Sequence, residues 1–62
     1  MLPKWTATYV RRDDKSNRKQ IDVYAETIFQ AWYNSMCLIQ IVEKTEEFDI
    51  KRVIKNIKEQ FK

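Results

Sequence analysis

Residues 21–32 read IDVYAETIFQAW, and two periods meet inside them. Ile21, Val23 and Ala25 alternate with Asp22 and Tyr24, and Gln20 extends the polar series, which is the period of a strand with one buried face. Two residues later the pattern changes. Thr27 followed by Gln30 forms a capping box, in which the Thr hydroxyl accepts from a free N–H of the first helical turn while the Gln side chain reaches back to the cap. Glu26 adds negative charge beside the positive end of the helix dipole. The stretch predicts a strand that ends at Ala25 and a helix that starts at Ile28.

Upstream, residues 4–11 (KWTATYVR) are rich in Trp, Thr, Tyr and Val, which suit a pleated, half-buried surface. Residues 12–18 (RDDKSNR) hold turn-formers, with Asn17 the candidate for a left-handed position. Residues 4–25 therefore predict a β-hairpin. Downstream, the helix is expected to run to about Glu43, with EKTEE as its end and loop. The last segment is open. Ile50, Val53, Ile54, Ile57 and Phe61 recur at helical spacing with Asp49 as a cap, and by period alone a helix is favoured. Phe48, Ile50, Arg52 and Ile54 also alternate, and a hairpin gains much from a third strand. No repeat, linker or low-complexity tract divides the chain, so residues 1–62 are expected to form a single small domain.

A chain of 62 residues buries only about 60% of its unfolded surface, and its core supplies roughly 3–5 kcal/mol. Small domains compensate with disulfides, a metal or a partner. Cys37 is the single cysteine and histidine is absent, so an intrachain disulfide is excluded and no structural metal or cofactor is expected. A partner, either a second copy or another protein, is the remaining route. The lone thiol fits a reducing compartment. No run approaches the ~18 apolar residues of a membrane span and residues 1–20 lack a signal-peptide apolar region, which predicts an intracellular, soluble protein. Glycine is absent, which excludes a P-loop or dinucleotide-binding turn and leaves Asn, Asp or Ser for any position with positive φ.

The net charge of +3 is segregated. Residues 1–20 hold six basic and two acidic side chains, residues 21–47 one and five, and residues 48–62 five and two. Such asymmetry steers partners. Arg11, Arg12, Lys15, Arg18 and Lys19 make the hairpin basic, either as a solvated tip or as a contact for phosphates or an acidic protein face, with Trp5 and Tyr9 nearby. In the helix, Ile28, Ala31, Trp32, Ser35, Ile39 and Val42 are expected to cover the sheet. Phe29, Tyr33, Met36, Cys37 and Ile41 then remain on other faces, either covered by the C-terminal segment or exposed, with Phe29, Tyr33, Met36 and Ile41 available for self-association in a micromolar homodimer. Cys37 reads as a small buried hydrophobe. Asp13, Asp14, Glu46 and Glu47 fall in expected loops, and no residue set offers a nucleophile with an orienting neighbour, so no enzyme activity is expected.

The combination of KWTATYV, IDVYAETIFQAW and FDIKRV resembles the gene-2-type inhibitors of bacterial RNA polymerase made by short-tailed coliphages. Tyr24, Ala25, Glu26 and Thr27 match the family's step from second strand to helix. Ile28, Ala31, Trp32 and Ser35 fall where its helix is apolar or small. Phe48, Asp49, Ile50, Arg52 and Val53 match its third strand. The resemblance spans roughly residues 4–55 and implies an α+β fold in β-β-α-β order, with an antiparallel hairpin and one helix packed on the sheet. Residues 48–54 then form a strand, and 55–61 are left for a short terminal helix or turn. It also implies a phage-encoded protein in the cytoplasm of the bacterial host that blocks RNA polymerase by occupying a charged cleft. Arg52, flanked by Lys51 and Lys55, would make the contact together with Trp5 and the basic residues Arg11, Arg12, Arg18 and Lys19. The chain departs from the family pattern at Ile54, which stands where a second arginine is expected, and at Tyr9 and Gln20, which stand where hairpin carboxylates are expected. The alternative from the residues themselves is a small basic nucleic-acid-binding accessory protein that uses the hairpin.

Overall fold

The computed structural model describes residues 1–56. Within them the order is β1 (Lys4–Arg11), β2 (Asp14–Tyr24), α1 (Ile28–Glu43) and β3 (Phe48–Lys55). The three strands form one antiparallel sheet in the order β2-β1-β3, so the aromatic-rich first strand is central. This is the expected α+β arrangement in β-β-α-β order. The helical period of the last segment loses over residues 48–55, because the free edge of β1 offers a ladder of backbone hydrogen bonds that an isolated short helix cannot match. Residues 57–61 of the expected terminal helix or turn lie outside the described residues.

Alternate residues of β1 point at the helix. Trp5, Ala7, Val23, Ala25, Ala31 and Val53 form one buried cluster. Tyr9, Ile39 and Phe48 form a second, and Ile21 and Ile50 pack against both. Tyr9 and Phe48 meet edge to face, with ring centroids 6.2 Å apart. Trp5 is 8% exposed, and its indole Nε1 donates to the Ala25 carbonyl at 2.8 Å. That bond pins the end of β2 to the start of β1, where the backbone turns into the helix. The capping box forms as read: the Gln30 N–H donates to Thr27 Oγ1 at 3.1 Å, and the Glu26 N–H donates to Gln30 Oε1 at 3.0 Å.

Three sequence expectations need correction. The hairpin turns at Arg12 and Asp13, and β2 begins at Asp14, so Asn17 lies inside a strand. The positive φ among the described residues belongs to Lys44, at 58°, where the chain leaves the end of α1. A left-handed cap is the common way to stop a helix, and with no glycine available a lysine takes it at a cost of about 1–2 kcal/mol. The sheet also covers less of the helix than expected. Ala31, Ser35 and Ile39 are buried, whereas Ile28, Trp32 and Val42 remain 45%, 42% and 55% exposed. The outer strands of a three-stranded sheet lie only about 10 Å apart, roughly one helix diameter. Small residues at 31 and 35 let α1 sit close, and its flanking side chains overhang the edges.

Candidate functional site

Ile50 and Arg52 are two residues apart, so in a regular strand they would share a face. They do not. On one side of the irregularity Arg52 pairs with Thr8, and on the other Ile50 pairs with Tyr9, which leaves Lys51 as one extra residue in β3. This β-bulge shifts the pleat by one position. Phe48 and Ile50 therefore pack toward the helix, as does Val53 beyond the bulge, while Arg52 and Ile54 fall on the open face of the sheet with Thr8 and Thr6. The simple alternation of Phe48, Ile50, Arg52 and Ile54 read from the sequence breaks at this point.

A second irregularity lies on the other side of β1. Tyr9 pairs with Lys19 and Arg11 with Asp14, so Lys15 to Arg18 of β2 stand opposite a single residue of β1. Arg18, where this bow starts, is two residues from Gln20 and shares its face. Thr8, Arg18, Gln20 and Arg52 together line a shallow hollow of ≈ 350 Å³ on the open face. Gln20 donates to Thr8 Oγ1 at 3.5 Å, and one row further along Thr6 donates to Asp22 at 2.8 Å. Arg18 and Arg52 are both exposed and carry no ion pair among the described residues. Two free guanidinium groups beside a hydroxyl and an amide offer planar, multidentate donors, the chemistry that receives carboxylates and phosphates.

Three further basic residues of the hairpin, Arg11, Arg12 and Lys19, are engaged. Arg11 pairs with Asp13 at 2.8 Å and with Glu43 at 3.4 Å. Arg12 reaches Asp49 at 3.2 Å and Glu47 at 3.7 Å, bridging the hairpin turn to the start of β3. Lys19 reaches Glu43 at 3.2 Å from the helix side of the sheet. Glu43 is the hub of this end: its side chain is 7% exposed and also accepts from the Tyr9 hydroxyl at 2.6 Å. That hydrogen bond and the one from Lys19 hold the carboxyl below its ordinary range, against the effect of burial. Burial, with the neighbouring carboxylate adding to it, pushes the Tyr9 phenol up to about 12. The Arg11 guanidinium is raised, chiefly by its hydrogen bond to Asp13.

Of the residues expected to make the contact, Arg52 and Arg18 are brought together. Lys51 and Lys55 are exposed on the same edge strand, Lys51 at the bulge and Lys55 in register with Trp5. Trp5 is a core residue with its indole N–H satisfied, so it cannot reach a partner, and Arg11, Arg12 and Lys19 serve the fold. Tyr9, which stands at an expected carboxylate position, is likewise buried. Thr8 was not anticipated as part of a site, and Gln20 entered only as a position where the resemblance expects a carboxylate. The polar series Lys4, Thr6, Thr8 on one strand opposite Gln20, Asp22, Tyr24 on the other carried the signal. The bulge that adds Arg52 to them has no mark in the sequence.

Among the described residues no cluster of side chains could hold a metal ion, and no helix is long and apolar enough to cross a membrane. Comparison of the chain with protein-family models, curated proteins and solved structures finds no match.

Proposed function

We propose that this protein is a phage-encoded effector that binds bacterial RNA polymerase in the host cytoplasm and inhibits it by occupying a charged cleft. The observation that carries this reading is a pair of arginines, Arg18 and Arg52, without an ion pair among the described residues, in one hollow on the sheet face away from α1. The β-β-α-β order and the third-strand match FDIKRV supply the resemblance to the polymerase inhibitors. In this mechanism the guanidinium forks of Arg52 and Arg18 engage acidic groups of the target, Lys51 and Lys55 add positive charge along the same edge, and the folded domain blocks DNA by its bulk. No bond is made or broken, so the requirement is a rigid scaffold rather than a reactive group. Ile54 stands in β3 where the resemblance expects a second arginine, and in this reading Arg18 of β2 supplies the second guanidinium of the hollow.

The nucleic-acid reading needs the basic hairpin as a whole, and three of its five cations, Arg11, Arg12 and Lys19, are held in ion pairs. The readings separate in a pull-down from nuclease-treated bacterial lysate with tagged protein. Recovery of polymerase subunits by the wild type and their loss with Arg52→Ala is expected. An eluate without polymerase, or one unchanged by the substitution, contradicts the proposal.

A further inference from the structure

Residues 28–42 contain no Asp, Glu, Lys or Arg, although the sheet buries only Ala31, Ser35 and Ile39 of them. Each helical residue turns about 100°, which sorts the remaining side chains by direction. Phe29, Tyr33, Met36 and Gln40 fall on one stripe about 130° round from the buried one, on the β3 side, with Trp32 on its flank. Phe29 is 84% exposed, Tyr33 62%, Trp32 42% and Met36 37%. The intervals along this stripe are four, three and four residues, the a/d spacing of a heptad seam. Ile41, also read from sequence as part of an apolar patch, is 72% exposed but lies about 110° round the helix from the stripe.

We infer that this stripe is the seam of a symmetric dimer, in which α1 packs against α1 of a second copy. Heptad spacing suits a facing helix with the same spacing, and a two-fold axis sets each copy's stripe against its twin. Charge selects the same occupant. Each chain carries a net +3, yet the seam is uncharged, and among the described residues the cations other than Lys44 at the end of α1 lie on the sheet and hairpin, so two seams meet without like charges between them. A charged cleft, or the phosphates of a nucleic acid, find no countercharge on this stripe. A recess of ≈ 410 Å³ between α1 and β3 adjoins the seam; Trp32, Met36 and Phe48 form its apolar wall, which can receive a side chain of the facing helix, and Arg12, Glu46 and Asp49 form its charged rim.

The area agrees with a dimer that dissociates. Aromatic side chains bury about 150–250 Å² each. At the exposures of Phe29, Trp32 and Tyr33, with Met36 and Gln40 added, each copy offers roughly 450 Å². A total of about 900 Å² lies below the ~1,200 Å² at which stable interfaces begin and within the range of weak, specific ones. Because the hollow lies on the sheet face away from α1, both Arg18–Arg52 hollows remain open in the dimer.

Sedimentation equilibrium of the full chain across about 10–500 micromolar tests the inference, with a dissociation constant expected within that range. Tyr33→Glu, or Phe29→Ser if the glutamate variant does not fold by circular dichroism, should weaken association at least about thirtyfold. Ile41→Glu, equally exposed but off the seam, should change it by less than about threefold. A monomer throughout the range overturns the inference. So does a dimer indifferent to the seam substitutions, or one broken as readily by Ile41→Glu.

Discussion

Arg52 and Arg18 belong to strands that never touch, yet both line the hollow at Thr8 because β1 runs between them. In β2 ordinary alternation suffices, because Arg18 stands two residues from Gln20 and shares its face. β3 needs the extra residue at Lys51 to turn Arg52 to that face while Ile50 stays on the other. Two like charges in one hollow repel, and an incoming anion removes that repulsion while gaining charge-assisted hydrogen bonds.

Arg18 and Arg52 are therefore expected to be dispensable for folding. Arg18→Ala and Arg52→Ala should each change stability by no more than about 0.5 kcal/mol, or about 2–4 °C in melting temperature. A thermal melt that falls by more than about 8 °C would assign the arginines a structural role.

Trp5 should behave in the opposite way. Trp5→Ala removes a buried indole and leaves the Ala25 carbonyl without its donor, at a cost of about 3–5 kcal/mol. That equals the roughly 3–5 kcal/mol available to a domain this small, so the variant is expected to be unfolded at 25 °C by circular dichroism. A cooperative melt near that of the wild type would show that the indole is not a core anchor.

Ser35 is fully buried on α1, and its hydroxyl has no hydrogen-bond partner among the described residues. Ser35→Ala removes an unsatisfied polar atom and improves helix propensity, and should raise stability by about 1 kcal/mol. Denaturant titration reads this directly as a higher midpoint at unchanged slope. A lower midpoint would mean that the hydroxyl is satisfied in solution.

The Tyr9–Glu43 bond predicts pH dependence at both ends of the range. The phenol's folded value of about 12 stands above its ordinary one of about 10, so its contribution is complete below pH ~10 and is lost as pH rises toward about 12. The Glu43 carboxyl is lowered, so its contribution is present above its ordinary value and is lost as pH falls through the folded one. Tyr9→Phe should flatten the alkaline loss of stability and weaken the acid limb. An alkaline limb identical to the wild type would remove Tyr9 as its origin.

The fold was legible wherever a local rule and a partner element agreed. Thr27 and Gln30 announced the start of α1, and Ile21, Val23 and Ala25 announced the buried face of β2, because capping and alternation act over a few residues. The last strand was not legible from period. Ile50, Val53 and Ile54 have helical spacing only because the bulge at Lys51 places Ile50 and Val53 on the same face despite an odd interval. The site was hidden for the same reason: which side Arg52 faces depends on register against β1. The hairpin cations misled differently. Whether Arg11, Arg12 and Lys19 meet solvent or a carboxylate is decided by Glu43, Glu47 and Asp49, between 24 and 37 residues away in the chain for Lys19, Arg11 and Arg12 with Glu43 and Asp49.

The most direct test of the central claim is a binding titration of the purified protein against bacterial RNA polymerase at about 150 mM salt, where exposed charges are screened beyond ~8 Å. Saturable binding is expected, weakened about 10–100-fold by Arg52→Ala and comparably by Arg18→Ala, the loss that follows from removing a charge-assisted hydrogen-bonding group. Absence of binding at tens of micromolar, or an affinity untouched by both substitutions, would contradict the account.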